Sequence, residues 1–452
     1  MLNSKQVDEL NEIFELGRYD LKNKKRNIFA RVHKGTREIG GTCIEISTGK
    51  TSILLDTGLP LKKESAPVKY SNLQPDAVFI SHPHQDHYGL LDQVHPEIPV
   101  YMGAVGKKLI EATHVFIDKP FLDNNFKSLK ANKSVKIFDQ EGDLDMEITP
   151  FLVDHSSVDA FAFLIDIHGY RVFYSGDFRN HGRKAVLFER MIANPPEEID
   201  LLFLEGTTIG RNKSEFLDEA SVEDKIYEII SQQKNSSFLI TSSQNIDRVV
   251  SAYRACMKAD KILVVDFYSA WILEQIQHIS SAVPCIGWER IKVYAGNGQY
   301  RKVKDHPEYF GNFMNRAFKC RILKEELKRN PAQYLYLSRM SQFKIIDIYK
   351  HPENPVNVIY SQWLGYLKYS DKEYYGAESF AAYRDDPQVN FTYAHTSGHA
   401  TIETLQKFTQ ALKSKKVIPV HTEMPEKFLE YMDDVVLPED GEKIVINCLA
   451  GE

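Results

Sequence analysis

Residues 79–91 read FISHPHQDHYGLL and place three histidines and one aspartate between His82 and His87. The whole chain has 15 histidines in 452 residues, so the density here is a local feature. Either this is a metal site, or it is a polar loop that happens to be rich in histidine. The spacing inside the cluster and the ligands available elsewhere in the chain decide between these explanations.

The spacing in this cluster suits two neighbouring metal ions. The apolar segment AVFI predicts a buried strand, and Pro83 favours an extended backbone at His82. In an extended segment, residues i and i+2 point to the same side, so His82 and His84 can bind one ion. The chain then bends towards a helix that begins near His87, which turns Asp86 and His87 towards a second position. The segment is therefore predicted to be a strand-to-helix turn that supplies ligands to two ions.

Further ligands are expected in loops that follow apolar strands. His155, Asp177 and His421 each follow such a strand closely, in FLVDHSS, RVFYSGDFR and VIPVHTE. Imidazole and carboxylate groups are good zinc ligands, and a carboxylate can bridge two ions. Asp56, in SILLDTG, is expected to accept a hydrogen bond from a ligand histidine and to hold its orientation. A lone histidine after a strand is usually structural, so the metal prediction rests on the cluster and its partners together.

Composition and charge exclude several classes of protein. Hydrophobic residues make up 43% of the chain and charged residues 26%, which are values typical of globular proteins. The five cysteines are widely spaced and form no CxxC pair, so neither a disulfide framework nor a thiolate zinc finger is expected. We find no long apolar run and no secretion signal, which predicts a cytoplasmic protein without membrane contact. The net charge of −6 argues against a purely electrostatic nucleic-acid binder but leaves room for a local basic groove.

The rhythm of the apolar segments predicts an α/β protein of about two or three domains. Up to about residue 205, short continuous apolar runs alternate with turns, as expected for strands buried on both faces. From about residue 215, strands such as SSFLITSS and KILVVD alternate with helical segments, which predicts a parallel sheet. Short strands return after about residue 390. Residues 1–17 predict an amphipathic helix that docks on the body of the protein or serves a homodimer.

Four motifs between residues 54 and 179, LLDTG, SHPHQDH, VDHSS and YSGDFR, resemble those of the metallo-β-lactamase superfamily. The resemblance implies an αββα sandwich with a metal site at one edge, between the sheets. It also assigns ligands to each ion: His82, His84 and His155 to the first, Asp86 and His87 to the second, and Asp177 to both.

The segments LEGTTIG, HTSGHA and VIPVHTE extend this match to the β-CASP nucleases, which include ribonuclease J and the endonuclease of cleavage and polyadenylation. The additional motifs of that family fall on Glu205, His399 and His421. A histidine at position 421 is typical of RNA-cleaving members and completes the shell of the second metal. The resemblance also implies a parallel-sheet α/β β-CASP cap domain inserted into the sandwich. The expected divisions are residues 1–208 for the first part of the metallo-β-lactamase domain, 209–389 for the cap and 390–452 for the completion of the sandwich.

The expected activity is phosphodiester hydrolysis by two divalent metal ions, acting on single-stranded RNA through a metal-bridging hydroxide. Asp86 and Asp177 would hold and orient the water. His399 would be the general acid, and Glu205 would keep its imidazole protonated. Histidine and aspartate ligands favour zinc (Zn²⁺), and manganese (Mn²⁺) can occupy oxygen-rich versions of such sites.

Contacts to the substrate are predicted in two segments. His395, Ser397 and Gly398, in HTSGHA, could offer an imidazole and backbone N–H groups to a phosphate. Asn245 and Arg248 lie at the start of a cap helix and are either phosphate contacts or ordinary helix-start residues. The basic and aromatic stretch that begins at QYRKVK is either a groove for a single strand or a solvated helical surface.

Three alternatives share the metal site but differ in function. A DNA-directed β-CASP nuclease would use the same metals and the same acid. In a metallo-hydrolase of small molecules, the inserted domain, Glu205 and the segment HTSGHA would have no evident function. A non-catalytic scaffold would typically have lost ligands that this chain retains. The sequence also leaves open whether cleavage is internal or proceeds from the 5′ end.

Overall fold

The computed structural model describes residues 28–62, 64–211, 217–370, 372 and 376–449. The amphipathic helix expected in residues 1–17 lies outside these ranges. Within them the strands form three sheets, and we number the strands β1 to β20 in chain order. Within these residues, no helix has the length and apolar character needed to span a membrane.

The first sheet has mixed pairing and the order β20-β1-β2-β3-β4-β5-β6. Its strands are β1 Phe29–Lys34, β2 Cys43–Ser47, β3 Ser52–Leu55, β4 Ala77–Phe79, β5 Pro99–Gly103, β6 Asn125–Leu129 and β20 Lys443–Val445. The strands from β3 to β6 run parallel to one another. Their carboxyl ends therefore meet at one edge of the sheet.

The second sheet has the order β19-β11-β10-β9-β8-β7. Its strands are β7 Val135–Phe138, β8 Leu144–Leu152, β9 Phe161–Ile167, β10 Tyr170–Tyr174, β11 Leu201–Glu205 and β19 Val417–Val420. The strands β10, β11 and β19 are parallel, so their carboxyl ends also share an edge.

These two sheets pack face to face around one apolar core. Ile46 and Phe79 from the first sheet and Phe163 and Val172 from the second are fully buried in it. The rings of Phe79 and Phe163 meet edge to face, with 5.8 Å between their centroids. The strand β11, with the sequence LLFLE, is buried along its whole length because helices cover its outer face.

Helices cover the outer faces of both sheets. The helix Ala104–Phe116 places Ile110 in an apolar cluster with residues of β4 and β5, outside the first sheet. The helices Val186–Ala193 and Ile402–Leu412 pack outside the second sheet, where their aromatic rings meet the ring of Phe178. The predicted αββα sandwich is therefore confirmed.

The third sheet has the order β15-β14-β13-β16-β12-β17-β18. Its strands are β12 Ser237–Ile240, β13 Ile262–Asp266, β14 Ile291–Tyr294, β15 Arg321–Ile322, β16 Tyr334–Ser338, β17 Val356–Tyr360 and β18 Val389–Tyr393. All of these pairings are parallel, as the strand–helix alternation predicted.

Helices of this part of the chain connect the parallel strands. They are Glu219–Gln232, Ile246–Lys258, Phe267–Gln277, Asn297–Asp305, Pro307–Phe310, Phe313–Lys319, Lys324–Arg329, Lys344–Asp347 and Ala377–Ala382. The side chains of Asp218, Asn245 and Asp266 each accept a hydrogen bond from a backbone N–H in the first turn of the helix that follows. Such caps satisfy N–H groups that have no partner inside the helix, which explains where these helices begin.

The third sheet continues past residue 389, where the sequence placed the end of the cap. The strand β18 pairs with β17 from Val389 to Tyr393, because neither proline nor glycine interrupts that segment. The chain then returns to the second sheet as β19 and to the first as β20. The division into residues 1–208, 209–389 and 390–452 stays a prediction.

We predict that Phe163→Ala destabilises the sandwich by about 3–5 kcal/mol, because it leaves a cavity where the two sheets interlock. A lowered midpoint of thermal unfolding, followed by circular dichroism, is the expected result. Phe138→Ala is the matched control, since that ring lies on the same sheet but is 54% exposed. Equal losses from the two variants would contradict the position given to the core.

Candidate metal centre

Most of the predicted metal ligands lie just beyond the carboxyl ends of parallel strands. The segment from His82 to His87 follows β4, Asp177 follows β10, and His421 follows β19 directly. His155 follows the antiparallel strand β8 at the same edge of the sandwich. The edge shared by the two sheets thus brings together groups that are hundreds of residues apart in the chain.

Three imidazoles form the first group of the centre. Ring nitrogens of His82, His84 and His155 all lie within 4.8 Å of one another. The Nε2 atoms of His82 and His155 are 3.0 and 3.2 Å from Nδ1 of His84. Burial and the neighbouring imidazoles hold the pKa of His82 and of His155 well below the usual value, and burial lowers the pKa of His84 to about 4. All three rings are therefore neutral at physiological pH, the form that binds metal.

The second group combines carboxylates with imidazoles. Donor atoms of Asp86, His87 and His421 lie within 4.8 Å of one another, and Asp86 Oδ2 is 3.2 Å from His421 Nε2. Asp177 lies between the two groups, with Oδ2 at 3.1 Å from His87 Nε2 and 3.8 Å from His82 Nε2. Burial opposes ionisation of Asp86 and Asp177, but the nearby imidazoles outweigh it and lower the pKa of both carboxyls.

Unpaired atoms in the centre show that its residues fit a divalent cation. Among the described residues, the Oδ1 atom of Asp177 is buried without a hydrogen-bond partner, and the Nε2 atom of His87, although 3.1 Å from Asp177 Oδ2, makes no hydrogen bond of acceptable geometry. A buried polar atom without a partner is costly, and these two belong to a set of nitrogen and oxygen donors that converge. That donor set, without thiolates, suits zinc and other divalent ions of similar preference.

Asp56 orients the second group through a network of hydrogen bonds. Its carboxylate accepts hydrogen bonds from Ser81 N–H at 2.7 Å, Ser81 Oγ at 2.8 Å and the Tyr174 hydroxyl at 2.7 Å. His87 Nδ1 lies 2.8 Å from Asp56 Oδ2, so the Nδ1–H is donated there and Nε2 is left facing the cluster. Sequence reasoning found Asp56 but missed Tyr174, which lies three residues before Asp177 and reads as an ordinary strand residue.

Thr207 is a further residue that sequence reasoning missed. Its Oγ1 atom lies 2.8 Å from Nδ1 of His421, whose Nε2 faces Asp86. His421 has a positive φ of 54°, a backbone conformation that non-glycine residues seldom adopt. Thr207 stands two residues after Glu205 in LEGTTIG, so only the folded structure reveals its contact with His421.

His399 and Glu205 lie together at one side of the centre. The Nδ1 atom of His399 is 3.4 Å from Glu205 Oε1 and 3.6 Å from Asp177 Oδ2. Burial opposes protonation of His399, but the charges of Glu205 and Asp177 outweigh it and raise its pKa. Glu205 is itself held by the backbone N–H groups of Thr207 and Ala400, at 3.0 and 3.1 Å. The arrangement can keep an imidazolium beside the metal ligands.

The side chains of Arg248 and Asn245 bind groups of the protein itself. The Arg248 side chain is fully buried, and its guanidinium binds Glu219 at 3.0 Å and Ser361. Its charge is therefore balanced inside the protein. The Asn245 side chain accepts a hydrogen bond from the backbone N–H of Arg248 and so caps the helix Ile246–Lys258. Substrate contact by either residue stays a prediction.

The residues of HTSGHA are largely engaged with the protein. The carbonyl of Gly398 lies 2.7 Å from His155 Nδ1 and accepts its N–H, which orients a predicted metal ligand. The carbonyl of Ser397 accepts a hydrogen bond from Arg179 at 2.9 Å. His395 Nδ1 lies 3.1 Å from the carbonyl of Ser361, and burial lowers its pKa to about 3. Phosphate contact by these residues stays a prediction.

The basic stretch lies apart from the metal centre. Arg316 forms an ion pair with Glu274 at 2.6 Å, and Lys302 forms one with Asp118 at 2.7 Å. Arg316 also borders an open cavity of about 490 Å³, and no predicted metal ligand lines that cavity. These pairings agree with a solvated helical surface rather than with a groove that leads to the metals.

Comparison with known proteins also indicates a metallo-hydrolase. Residues 51–237 match the profile of the beta-lactamase superfamily domain, and residues 387–432 match that of the Zn-dependent metallo-hydrolase RNA specificity domain. Ribonuclease J of Helicobacter pylori strain B128 is 22% identical in an alignment of 488 positions, which covers 98% of this chain and 64% of the relative. The chain thus spans less than two thirds of the length of that relative.

Shorter matches and one solved structure extend the comparison. A probable RNase MJ4 of Methanocaldococcus jannaschii is 43% identical over 79 residues, 16% of this chain and 18% of the relative. An RNase J-like protein of the same organism is 26% identical over 196 residues, 40% of this chain and 42% of that relative. A protein of unknown function from Enterococcus faecalis V583 shares the fold, with a TM-score of 0.72 at 20% identity over 93% of this chain and 100% of that one. With the two matched domains in sequence order around the metal centre, the chain contains a beta-lactamase superfamily domain and resembles, over nearly its whole length, the ribonuclease J-like proteins of the β-CASP family.

Proposed function

We propose that this protein is a metal-dependent ribonuclease that hydrolyses phosphodiester bonds of single-stranded RNA. The main support for this proposal is that His399 Nδ1 lies within 3.6 Å of Asp177 and 3.4 Å of Glu205. A proton donor thus stands beside the cluster of metal ligands. The match of residues 387–432 to an RNA specificity domain supports RNA as the substrate, because this segment contains both His399 and His421.

Two divalent ions, with zinc favoured, are proposed to occupy the centre. The first would be held by His82, His84 and His155, the second by Asp86, His87 and His421, and both by Asp177. Bound ions would supply Lewis acidity that activates water and offsets the negative charge of the phosphate.

The residues of the chain divide the remaining tasks. Asp86 and Asp177, both ionised, orient the attacking water through their carboxylate oxygens. His399, with its Nδ1 turned towards Glu205, can give the proton on Nε2 to the leaving oxygen. Glu205 stabilises the protonated imidazole and loses no freedom in doing so, because backbone N–H groups already fix it.

Cleavage of matched single-stranded RNA and DNA, each labelled at the 5′ end, tests this proposal. With defined zinc or manganese, we expect cleavage of RNA only, and we expect Asp177→Asn to abolish it. The product ladder reports whether cutting is internal or starts at the 5′ end. Cleavage of DNA alone would instead support a DNA-directed nuclease, and cleavage of neither would favour a small-molecule hydrolase or a scaffold.

His399→Gln is expected to lower kcat by about 10²- to 10⁴-fold, because it removes the proton donor. Metal content, measured by elemental analysis after dialysis, should stay at the wild-type level since no proposed ligand is lost. His114→Gln is the control, because His114 is a buried histidine whose ring bonds to the carbonyl of Pro120, away from the centre. An unchanged kcat in His399→Gln would exclude the acid role.

Tyr174→Phe is expected to weaken metal binding by about tenfold, because Asp56 then holds His87 less firmly. The measurement is a competition titration against a chromogenic chelator. Tyr336→Phe serves as control, since that buried hydroxyl contacts Tyr349 at 2.7 Å in the third sheet. Equal affinities in the two variants would show that the Tyr174 hydroxyl does not support the centre.

A further inference from the structure

Two fully buried arginines, Arg179 and Arg248, share the carboxylate of Glu219. Arg179 follows β10 of the sandwich, whereas Arg248 lies in the first turn of the helix that connects β12 to β13. Arg179 Nη1 lies 3.2 Å from Glu219 Oε1, and Arg248 binds both carboxylate oxygens, with Nη2 at 3.0 Å and Nε at 3.1 Å. We call these three residues the clamp, because they join the sandwich to the helices of the third sheet.

Further donors of the clamp hold the main chain of the segment HTSGHA. Arg179 Nη1 lies 2.9 Å from the carbonyl oxygen of Ser397, and Arg248 Nη2 lies 3.4 Å from that of Thr396. A guanidinium offers five donors in a rigid plane, so each arginine can bind the carboxylate and a carbonyl at the same time. The clamp thus fixes two consecutive residues that stand shortly before His399.

The same segment continues directly into the metal centre. The carbonyl of Gly398 accepts the Nδ1–H of His155 at 2.7 Å, and a Cβ atom at Gly398 would lie only 3.4 Å from Cε1 of that ring. The backbone N–H of Ala400 donates to Glu205 at 3.1 Å, the carboxylate that also faces His399. His399 therefore stands between a stretch of main chain fixed by the clamp and a residue bonded to Glu205.

Glu219 decides the charge balance of the clamp. Among the described residues it is the one carboxylate within ion-pairing distance of Arg248, whereas Arg179 also pairs with Asp247 at 2.5 Å. Burial opposes ionisation of Glu219, but the charges of Arg248 and Arg179 outweigh it and lower the pKa of its carboxyl. A buried guanidinium without a counter-charge is strongly unfavourable, so loss of the Glu219 charge would move Arg248 and release Thr396.

Glu223, one turn further along the same helix, shows what a buried carboxylate without this connection looks like. It is buried as well and pairs with Arg183 and with Lys258, the latter at 2.8 Å. In the part of the chain that the structure describes, neither of these partners bonds to HTSGHA. The two glutamates therefore differ in what their partners hold, and not in burial or charge.

We propose that Glu219 is a positioning residue of the ribonuclease, which fixes, through Arg248 and Arg179, the main chain that carries the general acid His399. This inference rests on the proposed function, since it takes His399 as the proton donor. The helices of the third sheet thus take part in the reaction without contributing a group that touches the reacting atoms.

Kinetics of Glu219→Gln test the proposal, because this change keeps the shape of the side chain and removes its charge. With single-stranded RNA, we expect kcat to fall about 10- to 100-fold and KM to stay within about twofold, since the acid is misplaced while the strand still binds. Glu223→Gln is the matched control, and both of its constants should stay within about twofold of wild type. Equal losses of kcat in the two variants would overturn the proposal.

A substrate with sulphur in place of the leaving oxygen tests whether the lost step is proton transfer. A thiolate leaves without being protonated, so the general acid is not needed. With this substrate, wild type, Glu219→Gln and His399→Gln should have the same kcat. If sulphur restores His399→Gln but not Glu219→Gln, the defect of Glu219→Gln is not a misplaced acid and the proposal is wrong.

Hydrogen exchange followed by mass spectrometry reports on the segment without any RNA. The backbone N–H groups of His399 and Ala400 are both hydrogen-bonded, and in Glu219→Gln they should exchange at least about tenfold faster than in wild type. In Glu223→Gln their exchange should match that of wild type. Unchanged exchange in Glu219→Gln would show that the clamp does not hold this segment.

The double variant Glu219→Gln with Arg248→Met separates stability from positioning. It removes both buried charges of this pair, so its midpoint of thermal unfolding should recover towards that of wild type. Its kcat should stay as low as that of Glu219→Gln, because the contact to Thr396 is still missing. Recovery of kcat together with the midpoint would reduce Glu219 to a counter-charge and overturn the proposal.

The outcomes also separate the two proposals. If wild-type protein cleaves RNA and His399→Gln is impaired while Glu219→Gln is not, the positioning role is wrong and the ribonuclease proposal stands. If wild-type protein does not cleave RNA, the proposed function fails, and hydrogen exchange still decides whether Glu219 fixes the segment.

Discussion

The metal centre depends on the common edge at which strands of two packed sheets end. The first sheet supplies Asp56 and the turn from His82 to His87, and the second supplies Asp177, Glu205 and His421. The donor atoms of each group lie within 4.8 Å of one another only because one apolar core fixes the two sheets together. A shift of either sheet by the width of a side chain would separate the donors, and close packing resists such a shift.

A second set of buried charges ties the centre to the third sheet. Arg179, two residues after Asp177, binds Glu219 at 3.2 Å, and Arg248 binds the same carboxylate at 3.0 Å. Both arginines also donate to backbone carbonyls of HTSGHA, which carries His399. Removal of one partner would leave an uncompensated buried charge, so the network holds this segment in one position relative to both parts of the protein. The acid side of the centre thereby depends on the cap as well as on the sandwich.

Much of the fold and of the centre could be predicted from local sequence. The parallel third sheet and the strand-to-helix turn at His82 follow from apolar runs and turn residues, which act over a few residues, whereas the αββα sandwich was implied by the resemblance of four motifs to the metallo-β-lactamase superfamily. The roles expected for Arg248 and Gly398 could not be judged in this way. Arg248 looks like a free helix-start cation in sequence but is buried against Glu219, and Gly398 acts through its carbonyl on His155. Both outcomes depend on contacts between segments that are far apart in the chain.

The sequence by itself determined which chemical groups are present and the local geometry that presents them, because side-chain identity and the periodicity of strands are local properties. It therefore indicated the types of metal ligand, the family that the chain resembles and the order in which strand-forming segments follow one another along the chain. Only the tertiary structure decided which polar atoms are left without a partner. Tyr174 reaches Asp56, and Thr207 reaches His421. A group becomes available to a metal or a substrate when the rest of the protein does not satisfy it, and that condition exists only once distant segments have packed.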